Sequence, residues 1–124
     1  MNVLLDSHCV LWWLADLPLT EEARAAITDP ASEVFVSAAS IWELEIKSAL
    51  GRLTIDGDLS AEVEAAGFAW LPITQRHARA AAHLPPHHRD PFDRMLIAQA
   101  QLEGHTIVTR DRSFERSAVE LIRA

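Results

Sequence analysis

Four acidic side chains occur at points of the sequence from which they could reach a common site. Asp6 directly follows a short apolar run near the start of the chain, and Asp111 follows a second run near its end. Glu43 and Asp93 lie in the first turns of two predicted helices. Because the carboxyl ends of parallel strands meet at one edge of a sheet, this pattern predicts a cluster of the four carboxylates.

A cluster of carboxylates is suited to binding a hard divalent cation. Without a counter-charge the carboxylates would repel one another and their pKa values would rise, which destabilises the fold. Mg²⁺ and Mn²⁺ prefer carboxylate and water oxygens, so Mg²⁺ (or Mn²⁺) is the expected cofactor. Such an ion activates water and stabilises charge on a phosphoryl group. The expected chemistry is phosphodiester or phosphomonoester hydrolysis.

Each acid also has a purely structural explanation. Asp6 could cap a helix, and Asp111 could cap the turn before Phe114. Asp93, three residues after a cap at Asp90, could complement the helix dipole. Ser40 and Glu43 fit a capping box, and Glu43 could instead pair with Lys47 one turn later. Such roles explain the acids one at a time, but the coincidence of four acids at one edge favours a metal site.

Short apolar runs alternate with helical patterns, which favours an α/β fold: a three-layer α/β/α sandwich around a mostly parallel sheet of about five strands. Residues 1–124 are expected to form a single domain. Strands are predicted at 3–5, 34–36, 69–73, 106–109 and, at the sheet edge, 119–122. Helices are predicted at 7–15, 20–27, from Ser37 or Ser40 to about 50, from a cap at Asp58 or Ser60 to about 67, from 74 to about 83, and from 90 to about 103.

The composition of the chain limits its class. Among 124 residues, 49% are hydrophobic, which is enough for one core and excludes a disordered protein. The formal net charge of −7 argues against general binding of nucleic acid by a basic surface, but it permits a nuclease that holds its metal with carboxylates. No signal-peptide or membrane-spanning pattern is present, so a soluble cytoplasmic protein is expected.

Several motifs, in this order, resemble the PIN-domain ribonucleases, in particular the VapC toxins of bacterial type II toxin–antitoxin systems. The motifs are Leu4-Leu5-Asp6-Ser7-His8, Ser40-Ile41-Trp42-Glu43-Leu44 with Lys47 and Gly51-Arg52-Leu53, Asp90-Pro91-Phe92-Asp93-Arg94 with Leu96-Ile97-Ala98-Gln99-Ala100, and Val108-Thr109-Arg110-Asp111 with Phe114. The resemblance covers essentially the whole chain. It implies a Mg²⁺- or Mn²⁺-dependent endoribonuclease, an RNA substrate and a VapB-like antitoxin partner.

The resemblance also implies roles for individual residues. Ser7 and Thr109 stand beside acids in the sequence and are expected to orient a carboxylate or a metal-bound water. Asp90 is expected to be a helix cap close to the site. The catalytic and metal-binding roles fall on Asp6, Glu43, Asp93 and Asp111.

Four arginines flank the acids in the sequence: Arg89, Arg94, Arg110 and Arg112. One or two of them are expected to bind RNA phosphates near the metal, with Arg94, Arg110 and Arg112 as the candidates. The alternative is that these arginines form salt bridges or are solvated charges.

The segment 8–14 is apolar almost all round and contains two adjacent tryptophans. Neighbouring helical residues point about 100° apart, so Trp12 and Trp13 cannot easily both face the core. One of them is expected to lie in an antitoxin or homodimer interface, where aromatic residues are enriched, and Trp42 presents a similar case. The histidines at 83, 87 and 88 have no accompanying cysteine, so a surface loop is expected there rather than a zinc site.

Two other functions remain open from the residues alone. A metal-dependent phosphatase or receiver-like domain would share the acids, although a receiver would need adjacent acids after the first strand and a lysine late in the chain. Lys47 is the only lysine, which disfavours a receiver. A non-catalytic α/β binding module would use the acids only as caps, and it would not be stabilised by Mn²⁺.

Overall fold

Five strands form one fully parallel sheet in the order β3-β2-β1-β4-β5. The computed structural model describes residues 1–86 and 88–124, so the prediction for His87 falls outside the described residues. The α/β fold, the parallel sheet and the edge position of the last strand are confirmed. The strands are β1 (Asn2–Leu5), β2 (Glu33–Ser37), β3 (Ala69–Leu71), β4 (Thr106–Thr109) and β5 (Leu121–Arg123).

In the described part of the chain, six α-helices connect the strands. Each begins after a residue whose side-chain oxygen accepts a backbone N–H, as helix caps do. A short 3₁₀ segment, Arg112–Arg116, follows β4. The caps are Asp6, Thr20, Ser37, Asp58, Thr74 and Asp90. The helices are α1 (Ser7–Leu14), α2 (Glu21–Thr28), α3 (Ala38–Ala49), α4 (Leu59–Ala65), α5 (Gln75–Ala82) and α6 (Pro91–Glu103).

The start of α3 decides between two alternatives that the sequence left open. The Ser37 hydroxyl accepts the Ala39 N–H at 3.0 Å, so Ser37 is the cap and the helix begins one turn before the other candidate. The capping box of Ser40 with Glu43 is therefore wrong, and Glu43 lies in the second turn of α3. This placement frees its carboxylate from the helix end. At α4 the cap is Asp58 rather than Ser60.

The last strand begins two residues later than predicted. Ile107 of β4 pairs with Leu121, and Thr109 pairs with Arg123. Residues 119 and 120 therefore belong to the connection between the 3₁₀ segment Arg112–Arg116 and β5.

The sheet is covered on both faces, because successive strand residues point to opposite sides. Val3 and Leu5 pack into a cluster with Leu44 of α3. Leu4 points the other way and packs with Ile97 of α6. All of these side chains are buried, so the position of each helix relative to the sheet is fixed by the core.

The strand order reverses between β1 and β4. Strands β1, β2 and β3 follow one another in one direction across the sheet, and β4 and β5 continue from β1 in the other. In open parallel sheets such a switch point leaves a crevice at the carboxyl edge, where ligands bind. Within the described residues, no helix is both long and apolar enough to cross a membrane.

Candidate active site

Asp6 and Thr109 join the two central strands at the switch point. The Cys9 N–H donates to Asp6 Oδ1 at 2.8 Å, and the Thr109 hydroxyl donates to Asp6 Oδ2 at 2.5 Å. Thr109 Oγ1 in turn accepts the Asp111 N–H at 3.0 Å. One buried hydroxyl therefore orients the Asp6 carboxylate and fixes the backbone that carries Asp111.

Glu43 is held from both sides by neighbouring side chains. The Ser7 hydroxyl donates to its Oε1 at 2.6 Å, and Lys47 Nζ lies 3.1 Å from its Oε2. Only 13% of the Glu43 side chain is exposed. Ser7 begins α1 and Glu43 lies on α3, so this contact sets the carboxylate beside the end of β1.

Asp93 lies in the first turn of α6 with an unfavourable environment for its charge. Burial, followed by repulsion from Asp90, Asp111, Glu43 and Asp6, raises the pKa of the Asp93 carboxyl to about 7. A raised pKa of this origin marks a group surrounded by other carboxylates without enough positive charge nearby.

Asp111 is the most open of the four acids. Its Oδ1 accepts the Ser113 N–H at 2.9 Å and the Ser113 hydroxyl at 2.7 Å. The side-chain hydrogen bond from Ser113 is the main cause that lowers the pKa of Asp111, with smaller contributions from His88 and His8. Asp111 also caps the 3₁₀ segment Arg112–Arg116, in agreement with its structural explanation.

The four acids line one pocket of about 130 Å³ at the carboxyl edge of the sheet. The cap Asp90 lines the pocket as well, and the Asp90 carboxylate accepts the Phe92 N–H at 2.8 Å. The residues lining the pocket are Asp6, Ser7, His8, Glu43, Lys47, Asp90, Asp93 and Asp111.

The acid pocket, defined by these eight residues, is open rather than closed into a cage. Within residues 1–86 and 88–124, no three His, Cys, Asp or Glu side chains are grouped so as to hold a metal ion. The donors are nevertheless carboxylate oxygens, as Mg²⁺ and Mn²⁺ prefer, and Mg²⁺ keeps several of its waters when bound. This open set of carboxylates therefore suits a hydrated Mg²⁺ or Mn²⁺ ion better than it suits a structural zinc ion, which needs a closed set of ligands.

Two of the three arginines predicted to bind substrate lie outside the acid pocket and are engaged elsewhere. The Arg94 guanidinium donates to backbone carbonyls of the α5–α6 connection, including Leu84 O at 2.7 Å and His88 O at 2.7 Å. The Arg110 guanidinium donates to Ala124 O at 2.9 Å and Pro18 O at 2.7 Å. Both guanidinium groups therefore hold the backbone in this structure.

The other two arginines that flank the acids are exposed. Arg89 lies in the connection before α6, and Arg112 begins the 3₁₀ segment. The Arg112 side chain makes no hydrogen bond or ion pair with the part of the chain that the structure describes. Of the three predicted substrate contacts, Arg112 alone stays available for a phosphate, although it does not line the acid pocket.

The three tryptophans predicted at interfaces differ in exposure. Trp12 is half-buried beneath the Arg110 guanidinium, which lies 4.1 Å from its ring centre, and Trp13 is half-buried against Phe68. Trp42 is 62% exposed and touches Phe92 of α6 edge to face. Trp12 and Trp13 therefore both pack at the margin of the core, and both stay partly exposed.

Two residues near the acids were missed or misplaced by the sequence reasoning. His88 was expected in a surface loop, but it is buried against Phe114 with its Nε2 3.4 Å from Asp93 Oδ2. The expectation was wrong for His88 because its ring packs against Phe114 of the 3₁₀ segment. Lys47 was considered only as an ion-pair partner, yet its position one turn after Glu43 was a signal that it lies at the same site.

The chain belongs to the PIN domain family, whose pattern its residues 3–120 match. It is also 34% identical to Ribonuclease VapC22 of Mycobacterium tuberculosis (strain ATCC 25618 / H37Rv), an alignment that spans 90% of this chain and 88% of the relative. Within the PIN domain family, the chain is therefore a member of the VapC ribonucleases.

Solved structures of low sequence identity share the fold over nearly the full chain. VapBC2 from Rickettsia felis, bound to a DNA fragment from its promoter, has a TM-score of 0.76 at 12% identity, covering 99% of this chain and 98% of that one. VapBC-5 from Mycobacterium tuberculosis has a TM-score of 0.63 at 20% identity, covering 99% and 98%. FitAcB from Neisseria gonorrhoeae has a TM-score of 0.65 at 24% identity, covering 97% and 96%.

Proposed function

We propose that this VapC ribonuclease is the toxin of a type II toxin–antitoxin pair and hydrolyses RNA phosphodiester bonds at the acid pocket, with Mg²⁺ or Mn²⁺ as cofactor. The observation that carries the proposal is the convergence of four carboxylates at the carboxyl edge of the sheet. The raised pKa of Asp93 supports it, since the pocket has more negative than positive charge and would favour a bound cation.

The residues of the site have two kinds of role: the acids bind the ion, and two hydroxyls orient the acids. Asp6, Glu43, Asp93 and Asp111 would hold the ion directly or through water, and one of these carboxylates would accept a proton from the attacking water. A bound Mg²⁺ or Mn²⁺ would supply an activated water and stabilise charge on the phosphate. The Thr109 and Ser7 hydroxyls keep the carboxylates of Asp6 and Glu43 in place through their hydrogen bonds.

We further propose that the partner of this chain is a VapB-like antitoxin. The structural neighbours include VapBC complexes, two of them bound to DNA. The partner contact is assigned to exposed Trp42, with the half-buried Trp12 and Trp13 as further candidates, and the same surfaces could serve a homodimer. Cytoplasmic location stays a prediction, in keeping with an RNA substrate.

The site is tested by a pair of substitutions on one helix. Glu43→Gln removes a charge from the acid pocket, whereas Glu45→Gln removes one from an exposed position two residues later. Glu43→Gln is expected to lower Mn²⁺-dependent RNA cleavage by at least about 100-fold, the scale of losing one transition-state contact. Glu45→Gln should cleave like the wild type. Cleavage is measured by sequencing RNA ends and by following a short fluorescent RNA.

Asp6→Asn completes the test, because asparagine can still cap α1. The variant should keep the wild-type circular dichroism spectrum but lose cleavage and most of the thermal stabilisation by Mn²⁺. Unaltered metal-dependent cleavage by Asp6→Asn would overturn the proposed site. A wild-type protein that Mn²⁺ does not stabilise would contradict the metal assignment.

A further inference from the structure

Lys47 is the cationic side chain of the acid pocket. It is the only lysine of the chain, and among the described pocket residues it alone carries a permanent positive charge. Its Nζ lies 3.1 Å from Glu43 Oε2, and 37% of its side chain is exposed. The ammonium group therefore reaches the pocket from the solvent side while being held by one of the four acids.

An ordinary helical ion pair is the simplest explanation of this contact. Such pairs at i,i+4 spacing are common on helix surfaces and contribute little. Two observations separate Lys47 from that case. Glu43 is mostly buried and is also fixed by the Ser7 hydroxyl, so the lysine is paired with an oriented carboxylate. Moreover, the pair faces a pocket with four further acids and not the outer surface of α3.

The arginines that flank the four acids do not line the acid pocket, so they do not supply a positive charge there for an RNA phosphate. Arg94 and Arg110 are engaged with backbone carbonyls, and the exposed Arg89 and Arg112 do not line the acid pocket. A phosphodiester that enters a pocket of carboxylates meets repulsion from each of them. A positive side chain beside the reacting phosphate offsets that repulsion and stabilises the charge that develops on its oxygens during in-line attack.

We propose that the Lys47 ammonium binds a non-bridging oxygen of the scissile RNA phosphate. This inference rests on the proposed function, because it assigns a substrate contact within the same site. Lysine binds phosphate as a point charge on a flexible stem, so a short movement away from Glu43 Oε2 is sufficient. That movement also releases an oxygen of Glu43 for the cation.

The test compares Lys47→Met with Arg52→Met, which removes the same charge from an exposed position just beyond α3 that does not line the pocket. Lys47→Met is expected to lower kcat/KM for a short single-stranded RNA by about 100-fold, while Arg52→Met stays near the wild type. The slope of log(kcat/KM) against log salt should fall in magnitude by about 0.7, which is the contribution of one phosphate contact in single strands. Lys47→Arg should retain part of the activity.

The thermal shift with Mn²⁺ separates substrate binding from metal binding. Lys47→Met should be stabilised by Mn²⁺ at least as much as the wild type, because the competing ammonium is gone. Wild-type cleavage by Lys47→Met would overturn the inference, as would loss of cleavage together with loss of the Mn²⁺ shift. If the wild type itself cleaves no RNA, the proposed function fails and the inference fails with it. If the wild type cleaves RNA and Lys47→Met cleaves it equally well, the inference fails but the proposed function stands.

Discussion

At the scale of single residues, ionising the Asp93 carboxyl is unfavourable in the folded protein without metal. Its carboxyl has a pKa of about 7 in the folded protein because it is buried beside other acids. In an unfolded chain the pKa of an aspartate is about 3.9. Folding therefore takes up a proton between these two pH values, and ionised Asp93 destabilises the metal-free fold.

A pH dependence follows for the metal-free protein. Its free energy of unfolding should fall as pH rises from about 4 through about 7, because the folded state then loses the proton that the unfolded state has already lost. Asp93→Asn should remove this part of the dependence and stabilise the protein at pH 8. Asp58→Asn, at an exposed helix cap, is the control. Urea unfolding at several pH values measures the effect, and equal pH profiles for wild type and Asp93→Asn would contradict the assignment.

The sequence located the four acids because their positions follow from chain topology, but it could not give the partners of each one. The hydroxyl of Thr109 reaches Asp6 across 103 positions of sequence, and Ser7 reaches Glu43 across 36. Ser7 and Thr109 could be named as neighbours of acids, yet Ser7 binds the distant Glu43 and not the adjacent aspartate. Only the packing of α1 against α3 determines that choice.

At the scale of elements, the connection between α5 and α6 depends on Arg94. Its guanidinium donates to the carbonyls of Ala81, Pro85, Leu84 and His88, at distances of 2.7–3.1 Å. This connection leads into the turn that carries Asp93. Arg94, which was predicted to bind substrate, therefore holds the backbone on one side of the acid pocket.

Arg94→Ala is expected to lower the free energy of unfolding by about 2–3 kcal/mol, since hydrogen bonds from a charged donor contribute more than neutral ones. Arg94→Lys should not restore it, because one ammonium group cannot span several carbonyls as a guanidinium does. Arg112→Ala, which removes an exposed arginine, should leave stability unchanged. Urea unfolding checks all three variants. A wild-type midpoint for Arg94→Ala would show that the carbonyl contacts are not needed.

Helix and strand boundaries were predictable to the extent that local chemistry sets them. The helix starts predicted at 20, 74 and 90 were correct to within one residue, since hydroxyl or acidic residues precede clear helical patterns there. The start of α3 was ambiguous because two serines could cap it. The β5 register was missed because pairing with β4, and not local propensity, decides where that strand begins.

At the scale of the whole molecule, the net charge of −7 is unevenly distributed. Five carboxylates and one lysine line the acid pocket, so a bound cation would remove much of the local excess. The charge therefore disfavours general affinity for RNA while permitting a substrate that is held at one cation-dependent position. The composition alone could not distinguish these two situations, because it carries no spatial information.

The exposed tryptophan on α3 gives a prediction about assembly. Trp42 is 62% exposed, and a large aromatic side chain in contact with water is typical of a protein interface. Trp42→Ser should weaken antitoxin binding or homodimerisation at least about 10-fold, as expected for an aromatic residue at the centre of an interface, without changing the melting temperature. Leu102→Ser, at another exposed apolar residue, is the control.

Calorimetric titration with the antitoxin and light scattering after gel filtration measure the two kinds of association. If Trp42→Ser assembles like the wild type in both experiments, the interface lies elsewhere. An equal loss in Leu102→Ser would show that replacing any exposed apolar residue by serine weakens association, and that Trp42 makes no specific contact.

The bond between Thr109 and Asp6 also has a consequence during protein synthesis. The first strand emerges from the ribosome early, but both neighbours that complete its surroundings, β2 and β4, follow it, and β4 comes after residue 105. The Asp6 carboxylate thus lacks its hydroxyl partner until β4 has been made, 103 positions later. Contacts between such distant residues form late in folding. The acid pocket is therefore completed only after β1 and β4 have paired, so its geometry depends on the folding of the whole sheet and not on any single connection.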